Sequence, residues 1–198
     1  MRRLFVDVDT QEDLLLDPNL FVDPLVLHRM KKIVDHAITN RTLICGSVEV
    51  HEQDAWFGNQ FTPEKKCLRG TKGQLKLSSM LPKRFKFLPE YTDVAPEDLD
   101  NLQIILGAFL NEFTQAYYFE KRTGTLFNNP FSNKLLLSFF GEAFVEGVQK
   151  EPIEIVVFGY NVKETALDFI KTGTHLLNAC KMEIVVKVVR DATWATGN

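Results

Sequence analysis

Five runs of apolar and β-branched residues punctuate the chain: Leu4–Val8, Thr42–Val48, Ala116–Phe119, Ile153–Phe158 and Glu183–Val189. In most of them apolar residues follow one another without alternation, the pattern of strands covered on both faces. Between the runs the apolar spacing changes to three and four. Pro24–Thr39 sets Leu25, Leu27, Met30, Ile33, Val34 and Ala37 on one broad face. Pro96–Phe113 opens on Pro96, Glu97 and Asp98, a favourable first helical turn, and continues with Leu99, Leu102, Ile105, Leu106, Phe109 and Phe113. Ser132–Gln149 and Val162–Ala179 are two further expected helices, the second with Ala166, Phe169, Ile170, Leu176 and Leu177. Strands alternating with helices predict parallel βαβ units with right-handed crossovers. The expected architecture is a three-layer α/β/α sandwich around a mostly parallel sheet of five or six strands. No repeat, low-complexity stretch or linker divides the sequence, so residues 1–198 are expected to form one domain.

Composition narrows the class without naming a function. Hydrophobic residues make up 45% and charged residues 25%, as in an ordinary globular protein. No apolar run reaches membrane-spanning length, and Met1-Arg2-Arg3 leads into no small-residue cleavage site. Three cysteines cannot build a disulfide framework, and their spacing fits no zinc motif, so a reducing, cytoplasmic setting is expected with Cys45 as a small core residue. A net charge of −3 argues against bulk nucleic-acid affinity. Lys65–Lys86 nevertheless holds eight basic residues and no acidic one. A solvated basic loop is the expected reading; an anionic ligand or an acidic subunit surface is the alternative.

Candidate chemistry collects where strands end. Val8-Asp9-Thr10-Gln11-Glu12-Asp13-Leu14 releases Asp9, Glu12 and Asp13 at the carboxyl end of the first strand, where open α/β sheets bind ligands. A carboxylate there is either a general base or a helix cap. Glu49-Val50-His51 follows the second strand, with Asp54 close behind. Alternation puts Glu49 and His51 on one side, as half of a metal site or as a surface ion pair. Lys121 ends the third strand, where an ammonium can hold developing negative charge or simply face solvent. Gly159-Tyr160-Asn161-Val162-Lys163-Glu164-Thr165 reads as strand, tight turn and helix start, a geometry used by nucleophiles and oxyanion holes.

In order along the chain these motifs resemble the isochorismatase-like cysteine hydrolases, the superfamily that includes nicotinamidases. Asp9-Thr10-Gln11-Glu12-Asp13 matches its D-x-Q-x-D opening, with Leu14 in place of the phenylalanine that follows. Cys67-Leu68-Arg69-Gly70-Thr71-Lys72-Gly73 matches C-V-x-G-T-x-G. Glu120-Lys121, with Thr125-Leu126-Phe127 after it, resembles the stretch carrying the family lysine before S-A-F. Gly159–Leu167 stands where the family has G-x-A-T-D-x-C-V, and Arg190-Asp191-Ala192-Thr193 resembles its D-A-T ending. The resemblance spans about Leu4 to Trp194 and implies an isochorismatase-like, Rossmann-like fold. It also implies a catalytic trio of aspartate, lysine and cysteine, in which the thiolate attacks an amide carbon and the aspartate moves the proton.

Two of the three match, as Asp9 and Lys121. Aligned without a gap, the cysteine position is Thr165; a gapped alignment places Asn161 there instead. Neither is a thiol, and an internal threonine lacks the terminal amine that activates threonine nucleophiles. Cys180 falls near the far end of its helix. The metal that nicotinamidases carry is implied at Glu49 and His51, but the remaining positions fall near Ala55 or Trp56 and at Lys66, so weak metal binding or none is expected and no cofactor is assigned. The resemblance's final helix and sixth strand find no counterpart, and a partner subunit is expected to cover that sheet edge, making the protein a homo-oligomer. Three functions stay open: a catalytically impaired hydrolase that binds a small molecule, an active hydrolase with Asp9-activated water and Lys121 as stabiliser, and an anion-binding module built on Lys65–Lys86.

Overall fold

Leu4, Phe5, Val6, Asp7 and Val8 are all buried, on both sides of the strand they form. That continuous burial is what a parallel sheet with helices on both faces requires. In the computed structural model, residues 1–18, 22–51, 66–90, 114–122, 124–141, 144–145, 148–149, 152–180 and 183–194 are described. The strands are β1 (Arg2–Val8), β2 (Leu43–Glu49), β3 (Phe85–Leu88), β4 (Ala116–Lys121), a short hairpin of β5 (Phe144–Val145) and β6 (Val148–Gln149), β7 (Ile153–Tyr160) and β8 (Ile184–Trp194). The helices are α1 (Glu12–Leu15), α2 (Pro24–Thr39), α3 (Pro130–Gly141) and α4 (Lys163–Cys180). Six strands form one parallel sheet in the order β3-β4-β2-β1-β7-β8.

Two apolar layers enclose the sheet. On one face Val6, Tyr117, Phe119, Ile155 and Val157 pack with Phe131, Leu135 and Phe139 of α3 and with Ala166 and Phe169 of α4. On the other, Phe5, Ile44, Tyr118 and Phe158 pack with Met30, Val34 and Ala37 of α2 and with Leu77 and Met80. Full burial of one such large apolar side chain contributes roughly 1.5–3 kcal/mol. Local signals set the helix starts. The Asp23 carboxylate accepts the Leu25 N–H at 2.8 Å and Pro24 occupies the first turn of α2. Asn129 accepts the Phe131 N–H at 3.0 Å to start α3, and its own amide donates to the carbonyls of Leu88 (3.0 Å) and Glu120 (2.9 Å), tying that helix to β3 and β4.

The expected sandwich is present, and several boundaries differ. The sheet gains a sixth strand, Phe85–Leu88, inside the basic segment; four residues reading Phe-Lys-Phe-Leu are too short and too charged to stand out by pattern. That strand forms one edge, and β8 runs on to Trp194 after a register shift opposite Val157 and Gly159. The helix expected to reach Gln149 stops at Gly141 and gives way to the β5–β6 hairpin, since glycine is a poor helix interior and a common stop. Leu25 and Ile170, expected on core faces, are exposed. The helix expected over Pro96–Phe113 lies outside the described residues. No helix among those described is long and apolar enough to cross a membrane.

Candidate active site

Asp9 leaves β1 in the left-handed backbone region, at φ 47°. A non-glycine residue there is strained and must be held by its surroundings. Its N–H donates to the Ser47 carbonyl at 3.2 Å and its carbonyl accepts from Gln11 at 2.8 Å. The Gln11 side chain then bridges to β2: it accepts the Glu49 N–H at 2.7 Å and donates to the Glu49 and Gln74 carbonyls, both at 2.8 Å. Asp13 accepts the Cys67 N–H at 2.7 Å, and its carboxylate lies where a side chain at Gly73 would stand, 1.9 Å from the position of an added Cβ. The two aspartates and the glutamine of D-x-Q-x-D therefore do separate work. Asp9 faces the site, Gln11 locks the strand ends, and Asp13 seats the C-x-x-G-T-x-G segment.

Lys121 ends β4, two strands from β1, in register with Glu49. Its ammonium lies 3.0 Å from Asp9 Oδ2, with both side chains about 95% buried. Burial alone would lower the Lys121 pKa; the charges of Asp9 and Glu49 outweigh it and hold the ammonium above its ordinary range. Lys121 is therefore charged at neutral pH. Asp9 Oδ1 is buried without a hydrogen-bond partner among the described residues. A buried carboxylate oxygen left in this state favours a hydrogen-bond donor from a ligand.

Glu49 and His51 do meet, with Nε2 2.8 Å from Oε1. Burial would raise the Glu49 carboxyl, but the His51 hydrogen bond and the Lys121 charge overcome it and hold the group below the usual carboxylate range. The pair is engaged with itself and stands in the field of an ammonium. Lys66, at another family metal position, pairs with Asp17 at 2.7 Å. Among the described residues no group of three or more His, Cys, Asp or Glu could hold a metal ion. The described residues do not fit a divalent cation, and Glu49 and His51 are hydrogen-bonded to each other. A lowered folded-state pKa means that Glu49 stabilises the fold above the ordinary carboxylate pKa of about 4.3 and that this contribution is lost as pH falls through the lower folded value. Glu49→Gln should therefore lower the urea midpoint at neutral pH, and the gap to the wild type should close on acidification. A gap that does not change with pH would contradict the assignment.

Thr165 is buried in the first turn of α4. No hydrogen bond or ion pair joins it to Asp9 or Lys121 among the described residues. Two features bring its helix to this end of the sheet. Gly159, at φ +118°, runs against Val8, and a Cβ there would lie 2.1 Å from the Val8 carbonyl oxygen. Thr125, in the loop after β4, donates to Asp168 at 2.7 Å, three residues beyond Thr165 on α4. Asn161, the gapped alternative, is exposed in the turn at φ 51°, where its N–H donates to the Trp194 carbonyl at 2.7 Å.

The basic segment corrects a sequence expectation. Lys76 leaves solvent altogether, and three other cations of the segment, still partly exposed, pair with acids. Arg69 pairs with Glu120 at 2.8 Å, Lys72 with Glu12 at 3.1 Å and Lys66 with Asp17. Lys76 is fully buried and sits 3.0 Å from the equally buried Asp7, while also donating to the Asp7 carbonyl and to Thr10 Oγ1, both at 3.2 Å. Thr10 in turn donates to Asp7 Oδ1 at 2.7 Å. Asp7 and Lys76 thus brace the turn that carries Asp9. The signal in the sequence was an aspartate inside the apolar run Leu4–Val8, since an acid in a buried strand needs a partner.

The six-stranded parallel sheet with helices on both faces is consistent with a three-layer α/β fold of the isochorismatase-like kind. Among solved structures the chain is similar to nicotinamidase from Bacillus subtilis, at 14% identity over 93% of this chain and 99% of that one, with a TM-score of 0.53. A second structure described as nicotinamidase/pyrazinamidase from the same organism gives 15% identity, 93% and 100% coverage and a TM-score of 0.54. N-carbamoylsarcosine amidase from Thermoplasma acidophilum gives 14% identity, 100% and 87% coverage and a TM-score of 0.53. The chain has the fold of these isochorismatase-like cysteine hydrolases. No family model and no curated protein matches the chain in sequence.

Proposed function

We propose that this protein is a catalytically impaired relative of the isochorismatase-like amidases that binds a small carbonyl compound at Asp9 and Lys121 without hydrolysing it through a covalent thiol intermediate. The observation that carries the reading is the buried 3.0 Å Asp9–Lys121 pair, with Asp9 Oδ1 lacking a hydrogen-bond partner among the described residues; the sequence resemblance adds Thr165 at the position of the family thiol. The acid and the ammonium suit an amide or related carbonyl group, because one accepts its N–H and the other donates to its oxygen. A threonine hydroxyl is barely ionised at neutral pH and has no activating amine here. Incubation of the purified protein with nicotinamide or N-carbamoylsarcosine should release no ammonia. Saturation-transfer NMR with the same compounds should detect binding that Asp9→Asn weakens.

The unpartnered Asp9 Oδ1 also favours a second reading, in which Asp9 acts as general base on a water molecule and Lys121 stabilises the oxyanion. Ammonia release that disappears in Asp9→Ala would select this reading over the first. Absence of both turnover and binding would remove both.

A further inference from the structure

At the opposite end of the sheet, where β1 and β2 begin, a cleft of about 540 Å³ opens between the end of α2 and the flank of α3. Its volume falls within the range of small-molecule sites. Arg2, Arg3, Arg41 and His36 line it, and among the described residues no carboxylate does. This local excess of cations stands against an overall net charge of −3.

Glu154, behind the cleft, is buried and pairs with Arg3 Nε at 2.5 Å, but it is shared with Lys187, so one carboxylate serves two cations. Arg2 lies over the Phe139 ring, 4.4 Å from its centroid, which fixes that guanidinium at the wall of the cleft. The Arg41 guanidinium is exposed and makes no ion pair or hydrogen bond among the described residues. The end of α2 would oppose an anion through its free carbonyls. Here they are covered: His36 O accepts from the Asn40 backbone (3.0 Å) and side chain (2.8 Å), Ile38 O from Arg41 (3.1 Å) and Ala37 O from Thr42 (2.9 Å).

Arg41 also occupies a costly position. It sits at φ 52°, directly after the helix, where glycine or asparagine is the usual residue. Arginine there carries strain that glycine would relieve.

We infer that this cleft is a second ligand site, distinct from the Asp9–Lys121 end, that takes a phosphate monoester: the arginines hold the phosphate and Leu43 and Leu135 meet its apolar body. Guanidinium forks match phosphate oxygens two at a time, which a lysine cluster would not do.

The test is calorimetric titration of the whole protein with phenyl phosphate at low salt, alongside inorganic phosphate, benzyl alcohol and vesicles containing phosphatidic acid. Phenyl phosphate should bind, more tightly than inorganic phosphate, and benzyl alcohol should not. Arg41→Gly should weaken phenyl phosphate binding about tenfold or more, the scale of one charge-assisted contact. Its melting temperature should stay at or near that of the wild type, because glycine accepts the left-handed backbone. Absence of binding at millimolar phenyl phosphate overturns the inference. So does binding that Arg41→Gly leaves unchanged, which would place the anion elsewhere, and so does binding of the vesicles alone, which would mark a lipid surface.

Discussion

Lys76→Met is expected to destabilise the protein by about 3–5 kcal/mol, a large share of the roughly 5–15 kcal/mol that holds a typical domain folded. For a chain of this size that corresponds to a fall of about 6–20 °C in melting temperature. The reason is the accessibility of the pair. Lys76 and Asp7 side chains are both fully buried, and Asp7 Oδ2 already lacks a partner among the described residues. Removing the ammonium leaves a buried carboxylate whose remaining hydrogen-bond donor among the described residues is the Thr10 hydroxyl. The same reasoning predicts the opposite result for the double variant Asp7→Val, Lys76→Met. With both groups gone, the cost of desolvating them is gone as well, and apolar replacements of a buried pair are often neutral or stabilising by about 1–4 kcal/mol. The double variant should therefore recover most of the stability that the single variant loses. Urea unfolding of the wild type, the single variant and the double variant measures this directly. A Lys76→Met protein as stable as the wild type, or a double variant no better than the single, would show that the ammonium does not rest on Asp7.

Thr165→Cys is expected to convert the protein from inert to measurably active on a small carboxamide. The acid and the ammonium lie 3.0 Å apart, and on the proposed reading the part to be supplied is a nucleophile with appreciable ionisation near neutral pH. Asp9 would take the thiol proton and return it to the leaving amine. In the Thr165→Cys background, Asp9→Asn should then remove about 10²–10⁴-fold of the new rate, the usual scale for a general acid–base group. Ammonia release, followed alongside a circular dichroism check that the variant is folded, decides the matter. A folded Thr165→Cys protein without activity would mean that the start of α4 does not meet the Asp9–Lys121 pair, and the account of a lost nucleophile would fail.

Much of this arrangement was legible along the chain. The runs Leu4–Val8, Thr42–Val48 and Ile153–Phe158 are apolar without interruption apart from single residues, so only a sheet covered on both faces could use them. That in turn placed Asp9, Glu49 and Lys121 at strand ends that share one side of the molecule. The helix expected over Pro24–Thr39 from its apolar spacing is α2 with the same bounds. The ordered motifs pointed to the fold that the structural likeness supports.

What the pattern could not carry were pairings between distant residues. Phe85–Leu88 is a strand because β4 offers it a hydrogen-bonding edge, not because four residues with a lysine among them prefer that state. The basic run Lys65–Lys86 looked solvated because charge near charge in sequence suggests a shared aqueous surface. Its partners Asp7, Glu12, Asp17 and Glu120 lie at other points of the chain.

The sequence by itself determined the layers, the strand and helix order of the described core, and the end of the sheet where an acid and an ammonium would gather. Those features depend on local periodicity and on the chemistry of single residues. Only the tertiary structure decided that Lys76 is buried against Asp7, that Asp9 Oδ2 meets Lys121 while Oδ1 meets nothing among the described residues, and that Arg2, Arg3 and Arg41 face one cleft. Each depends on distances of a few ångströms between segments far apart in sequence, and electrostatic energies at such separations are set by burial that no linear pattern records.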